Sequence, residues 1–254
     1  MAMTQPKTAE EIVAMREGGA MLGKVFSELQ TYIKPGLTTK QISDHAHKTL
    51  TDLGGKPAIL GYYGFPEAMC VSLNDEVVHG IPSKNRVVED GDIVSVDFCV
   101  LHKGLITDAA FSMIAGNPKS RADENLLRET RRALEAAVDV IEDGVKTGTI
   151  GAAVQNILDQ AGFGIVRDFV GHGVGHQMHE DPNVPNYGLP NQGPMLHAGM
   201  TIAIEPMSTR GAHEVYVDAT DGWTVRTKDG SQSAHFEMTV LVTGDGAEIL
   251  TPLP

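Results

Sequence analysis

The chain has 254 residues, 41% hydrophobic and 21% charged, with 20 Lys and Arg against 33 Asp and Glu. This excludes a disordered, collagenous or coiled-coil chain and supplies the apolar material for one sizeable core. A formal net charge of −13 argues against holding nucleic acid by phosphate neutralisation. Solubility explains most of the carboxylates; holding metal cations is the sharper use for a few.

Residues 1–7 contain no apolar segment of signal-peptide type and read as a flexible lead-in. No run reaches the roughly 18–20 apolar residues of a membrane span, so no membrane partner is expected. Cys70 and Cys99 are too few for a disulfide framework, which suits a reducing compartment, and a cytoplasmic location is expected. Thr8-Ala9-Glu10-Glu11 is a capping box, with Ile12, Met15, Gly19, Leu22 and Phe26 at helical spacing. The pattern predicts a helix over about 8–33, closed by Pro35-Gly36, and a second over about 39–53 carrying Ile42, Ala46 and Leu50. Residues 58–81 read as irregular, then as a strand through Cys70-Val71-Ser72-Leu73. Residues 92–115 alternate as a hairpin with its turn near His102-Lys103-Gly104.

The second half starts again with helices, over 121–142 and 149–161. Strands are predicted at 165–170, 200–205, 214–217, 234–242 and 247–250. A faint repeat links the halves: Ile33-x-x-Gly36-Leu37-x-Thr39-x-x-Ile42 recurs as Ile141-x-x-Gly144-Val145-x-Thr147-x-x-Ile150. If structural, it means two similar α/β halves with a site between them.

Asp97 and Asp108 each interrupt an apolar strand pattern, and the hairpin turn lies midway between them. Pairing with residue numbers summing to 205 or 207 puts both carboxylates on one face, opposite or diagonal. Either a cation separates the two charges, or one acid is capped by backbone and the other lies at the surface. Gly171-His172-Gly173-Val174-Gly175-His176-Gln177-Met178-His179 sets three imidazoles among glycines, which permit sharp turns and leave room for a substrate. It lacks the Glu of a zinc-protease helix, and a plain His-rich loop is the alternative. Glu205 ends an apolar strand before Pro206; Glu237 is one acid in another such strand; each is either aimed at a cleft or solvent-facing. His79, after Val77-Val78 and before Gly80, taken alone reads as a core or turn histidine. Together, four carboxylates and one imidazole make an inner shell for two divalent cations of the Mn, Fe, Co or Zn type, which points to metal-assisted hydrolysis.

These motifs resemble those of the type I methionine aminopeptidases in their short, bacterial-type form. The resemblance runs from about residue 8 to 251 and rests on Pro35-Gly36-Leu37-Thr38-Thr39, Asn74 to Pro82, Asp97 with Asp108, Gly171 to Gly175, Ile204-Glu205-Pro206-Met207 and Glu237. It implies a pita-bread α+β fold: residues 8–254 as one catalytic domain, with pseudo-symmetric halves of about 8–118 and 119–254 around an antiparallel sheet. It also implies that Asp97 chelates one metal, Asp108 and Glu237 bridge both, and His172 and Glu205 complete the other. A bridging hydroxide would attack the carbonyl of an N-terminal methionine when the second residue is small, with Glu205 shuttling the proton. His179 would stabilise the tetrahedral intermediate and His79 would bind near the scissile amide. Ile59, Tyr62, Phe65, Cys70, Met178 and the single Trp, Trp223, would form the methionine pocket. Met178, Ile59 and His176-Gln177 depart from the more usual family residues and bear on pocket shape rather than metal binding. The implied partners are peptides and nascent chains beginning with Met, with transient ribosome contact; the implied state is a monomer. The rivals are an X-Pro aminopeptidase or prolidase on the same fold, which carries an extra N-terminal domain, and a non-catalytic pita-bread binding module, which loses metal ligands.

Overall fold

The computed structural model describes residues 3–254. Its α-helices are α1 (Ala9–Tyr32), α2 (Thr39–Asp52), α3 (Arg121–Asp139) and α4 (Thr147–Ala161). In chain order the first strands are β1 (Lys56–Pro57), β2 (Cys70–Leu73), β3 (Glu76–Val78), β4 (Ile93–His102) and β5 (Leu105–Ile114). Then follow β6 (Gly164–Ile165), β7 (Gly171–Gly173), β8 (Glu180–Val184), β9 (Thr201–Ile204) and β10 (Met207–Thr209). The last are β11 (Val215–Val217), β12 (Val225–Thr227), β13 (Ser233–His235), β14 (Glu237–Val242) and β15 (Ala247–Ile249). The large antiparallel sheet runs β1-β4-β5-β14-β9-β7-β8, with β2 also on β4 and β15 also on β14. Two three-stranded sheets, β13-β10-β6 and β11-β12-β3, flank it.

Local chemistry sets the helix ends. Thr8 Oγ1 accepts from the Glu11 amide at 3.2 Å and Glu11 Oε2 accepts from the Thr8 amide at 2.8 Å, closing the capping box of α1. Thr38 and Gln41 do the same for α2. Alternation along the strands then divides the sheet into two faces. On β4, Val94, Val96, Phe98 and Val100 join Leu22, Val25, Phe26 and Leu29 of α1 in the main core. Ala109 and Phe111 of β5, Met238 and Val240 of β14, and Ile202 and Ile204 of β9 belong to the same core. Asp97, Cys99, Asp108 and Glu237 fall on the opposite face.

The two halves are built alike. Gly36 and Gly144 both adopt positive φ, at 92° and 86°. The Gly36 amide donates to the Val88 carbonyl and the Gly144 amide to the Leu196 carbonyl, both at 2.8 Å. Isolated bridges Thr38–Val87 and Lys146–Met195 repeat the match at the same displacement. The helix–turn–helix repeat read from the sequence therefore extends to the segment that each turn pairs with.

Several expectations need correction. The strand predicted at 165–170 does not form: β6 covers only Gly164–Ile165, residues 166–170 are irregular, and β7 begins at Gly171 in a different sheet. The run over 234–242 is also divided: β13 ends at His235, Phe236 donates its amide to the Pro206 carbonyl, and β14 begins at Glu237. The helix expected to reach 142 ends at Asp139. Within residues 3–7, read from the sequence as a flexible lead-in, Thr4 and Lys7 are buried, and the Thr4 amide donates to the Asp181 carbonyl at 2.6 Å. For residues 1 and 2 that expectation lies outside the described residues.

Gly19 is where α1 meets the C-terminal segment; a Cβ there would lie 1.9 Å from the Leu250 carbonyl oxygen. Gly19→Ala is expected to lower stability by about 1–3 kcal/mol through overpacking, despite alanine's better helix propensity. Urea unfolding of the two proteins checks this; equal midpoints would contradict the packing described.

Candidate active site

Five adjacent strands each deliver one group to the same patch: Asp97 from β4, Asp108 from β5, Glu237 from β14, Glu205 from the end of β9 and His172 from β7. The register explains why. Asp97 and Glu237 both pair with Ala110, which lies between them in the sheet with only a methyl side chain. Asp108 is two residues before Ala110, so the hairpin adopts the register summing to 207 and the two aspartates are diagonal neighbours. His172 pairs with Ala203, two residues before Glu205. Glu205 and Glu237 sit where the chain leaves one sheet for another, at the Pro206 and Phe236 breaks.

Ligand atoms of Asp108, His172 and Glu237 all lie within 4.8 Å of one another, as do those of Asp97, Cys99 and Asp108. His172 Nε2 is 3.7 Å from Glu205 Oε1, and His235 Nε2 is 3.6 Å from Glu205 Oε2. Burial pushes all four carboxyls up from the ordinary range, and neighbouring carboxylates raise Asp97 and Glu237 further. Among the described residues no Lys or Arg pairs with any of them. Buried acids of this kind need cations, and oxygen-rich donors with one imidazole suit divalent ones. The His172 ring is already turned to act as a ligand. Its Nδ1 donates to the Gly173 carbonyl at 2.9 Å, leaving the Nε2 lone pair for a metal. Burial holds its pKa down at about 3, so the ring is neutral.

The same groups line a cavity of about 300 Å³ with His79, His179, Phe169 and Asn183. His79 has φ 60°, a left-handed backbone that β3 and the tightly packed Gly80 impose on it. Burial lowers its pKa to about 4, with His235 and His179 adding to the effect. His179 is 3.0 Å from the Tyr62 hydroxyl through Nδ1, and its ring stands 4.4 Å from that of His172. Beside them Ile59, Phe65, Cys70, Cys99 and Met178 form a buried apolar cluster against which Tyr62 and Trp223 pack. It borders the carboxylates directly: Cys70 pairs with Asp97 in the register, and Cys99 Sγ donates to Asp108 Oδ1 at 3.0 Å. The structure thus brings together every residue expected from the sequence.

Sequence reasoning missed four others. Cys99 and His235 stand two residues from Asp97 and Glu237, so strand alternation could have placed both in the site. His235 is buried with no hydrogen-bond partner on either ring nitrogen. Phe169 and Asn183 carried no such signal. The glycines of the His-rich run were expected to make room for a substrate. They make room for protein instead: a Cβ on Gly173 would meet Thr4 at 2.8 Å, and one on Gly175 would meet Lys7 at 2.5 Å. Of the three histidines in the run only His172 lies in a strand, β7; residues 174–179 form an irregular segment that leads into β8.

Residues 13–244 match metallopeptidase family M24. The chain belongs to this family. It is 42% identical over 245 residues to methionine aminopeptidase 1 of Bacillus subtilis, covering 96% of this chain and 98% of that one. The methionine aminopeptidase of Mycoplasma capricolum is 40% identical, with 96% and 97% covered. The crystal structure of a Thermotoga maritima methionine aminopeptidase superimposes with a TM-score of 0.95 at 44% identity, covering 98% and 99%. Prolidase from Pyrococcus furiosus shares the fold at a TM-score of 0.77 and 21% identity, with this chain covering 65% of it. M24 is a metallopeptidase family, and the buried carboxylates fit that chemistry.

The raised carboxyl pKa values give a signed prediction. Each raised carboxyl holds a proton that the unfolded chain has released above about pH 4, so its contribution to the stability of the metal-free fold is lost as pH rises through its folded pKa, about 7 for Asp108 and about 8 for Asp97 and Glu205. Cations displace those protons and remove the cost. A chelator is therefore expected to lower Tm more at pH 8 than at pH 6, as differential scanning calorimetry would read. A smaller loss at pH 8 would contradict the assignment.

Proposed function

We propose that this M24 enzyme removes the N-terminal methionine from peptides and nascent chains whose second residue is small. Two divalent cations would be held by Asp97, Asp108, His172, Glu205 and Glu237. What carries this reading is the apolar cluster of Ile59, Phe65, Cys70, Met178, Tyr62 and Trp223 set directly against the carboxylates. It is adaptable in shape through Met178 and rich in sulfur and aromatic carbon, which suits a thioether side chain. Divalent cations in such a centre supply Lewis acidity, acidifying water and polarising a carbonyl.

The protein's own groups divide the remaining work. Glu205 faces the cavity with its carboxyl raised by burial, as a proton-shuttling base at neutral pH requires. His179 is held neutral by burial. With the Tyr62 hydroxyl donating to Nδ1, the ring proton sits on Nε2, the tautomer that donates to a carbonyl oxygen gaining charge. His79, also neutral, offers a hydrogen bond near the scissile amide. The rings of His79 and Phe169, 5.6 Å apart, crowd the cavity and favour a small second residue.

Three measurements test the reading. Met-Ala-Ser supplied with Mn, Fe or Co is expected to release methionine, while X-Pro peptides are not cleaved; the reverse pattern would sink it. Glu205→Gln is expected to retain at least one metal by elemental analysis and to lose about 10²–10⁴-fold in kcat. Near-normal kcat would remove Glu205 as the base. His79→Ala is expected to lower turnover with little loss of metal, whereas parallel loss of both would make His79 a ligand.

A further inference from the structure

The side chain of Lys7 is fully buried, yet it lies outside the cavity and none of the chemistry above uses it. Its Nζ donates to Thr4 Oγ1 and to the Gln5 carbonyl, both at 2.9 Å, and stands 3.8 Å from Glu180 Oε2. That oxygen has no hydrogen-bond partner, so the ammonium is the charge that compensates it. The other oxygen of the same carboxylate accepts from the Gln177 amide at 2.8 Å. Glu180 thus closes a short turn whose two middle residues are Met178 and His179. One belongs to the apolar pocket and the other to the cavity wall.

The segment carrying Lys7 is itself tied down. The Thr4 amide donates to the Asp181 carbonyl, the Lys7 amide to the Gly199 carbonyl at 2.8 Å, and Glu11 Oε1 meets His176 Nε2 at 2.7 Å. Gly173 and Gly175 admit Thr4 and Lys7 at distances that a side chain would close off. From the far side, Tyr62 holds the His179 ring.

We propose that Lys7 is a positioning residue for His179. By fixing the Glu180 carboxylate, it fixes the turn that aims His179 at the reacting carbonyl and Met178 at the methionine side chain. The N-terminal segment Thr4–Glu11 is then a working part of the active site rather than a lead-in. This rests on the proposed role of His179 in methionine release.

Lys7→Met keeps most of the stem's volume and removes the charge. With Met-Ala-Ser, kcat is expected to fall about tenfold, KM to change less than about threefold, and bound metal per chain to stay the same; these magnitudes follow the cost of misplacing one oriented group. Amide hydrogen exchange over 174–182 is expected to accelerate while α1 and α3 keep their protection. Glu180→Gln, which retains an acceptor for the Gln177 amide, should show the same local pattern. The double variant should lose no more than the worse single one, as two members of one device do. Wild-type kcat and loop exchange in both single variants would overturn the proposal. So would exchange that rises equally throughout the chain, the mark of general destabilisation. If the wild-type protein released no methionine, the functional reading would fail instead, and the local exchange would still decide whether Lys7 holds the turn.

Discussion

Four carboxylates converge on one face of a sheet where, among the described residues, no lysine or arginine meets them. Each pays desolvation, and together they repel, so the arrangement is tolerable only with protons or cations among them. The rest of the molecule is organised around that cost. The opposite face is covered by helices and supplies the apolar burial that holds five strands in register. The strands in turn hold the five groups at spacings a flexible loop could not maintain. The two glutamates come from the points where β9 gives way to β10 and β13 to β14, so the sheet changes of the fold and its charged centre coincide.

The near-equivalence of the halves bears on this. A helix, a left-handed glycine turn and a second helix, stitched to a later segment by the same backbone hydrogen bonds, occur twice. Each copy leads into strands of the common sheet: β4 and β5 in one half, β9 and β14 in the other. Asp97 and Asp108 come from the first pair, and Glu205 and Glu237 from the second. His172 comes from β7, which pairs with β9 as β2 pairs with β4 in the first half.

Much of this was legible in the sequence, because long elements carry strong periodicity. α1, α2 and the β4–β5 hairpin follow their patterns to within a residue or two, and the aspartates' common face follows from the turn position. The four carboxylates emerged from charged residues interrupting apolar runs, while the choice of His172 among the histidines and the grouping with His79, His179 and the pocket residues came through family resemblance. What stayed hidden has physical reasons. Strands of two or three residues, such as β6, β10 and β12, are too short to display alternation. A run that serves two sheets, as at 234–242, reads as one strand because its apolar pattern continues through the break, while the apolar residues at 165–170 belong to an irregular link between β6 and β7. The packing of Thr4 and Lys7 was invisible because it depends on glycines more than 160 residues away, whose missing side chains look the same whether they admit a substrate or another part of the chain.

The groups behind the two aspartates complete the picture. Asp97 and Asp108 each have a cysteine beside them: Cys70 is the register partner of Asp97, and the Cys99 thiol donates to Asp108. Burial and the adjacent acids push both thiols well above their usual range, so they remain protonated donors. A lysine or arginine in either place would satisfy the aspartate fully and compete with a metal cation for its charge. A neutral, weakly donating thiol orients the carboxylate without cancelling that charge, and its apolar body packs in the neighbouring apolar cluster. Both cysteines therefore sit at the boundary between the charged centre and the apolar cluster of Ile59, Phe65 and Met178, touching one while packing in the other.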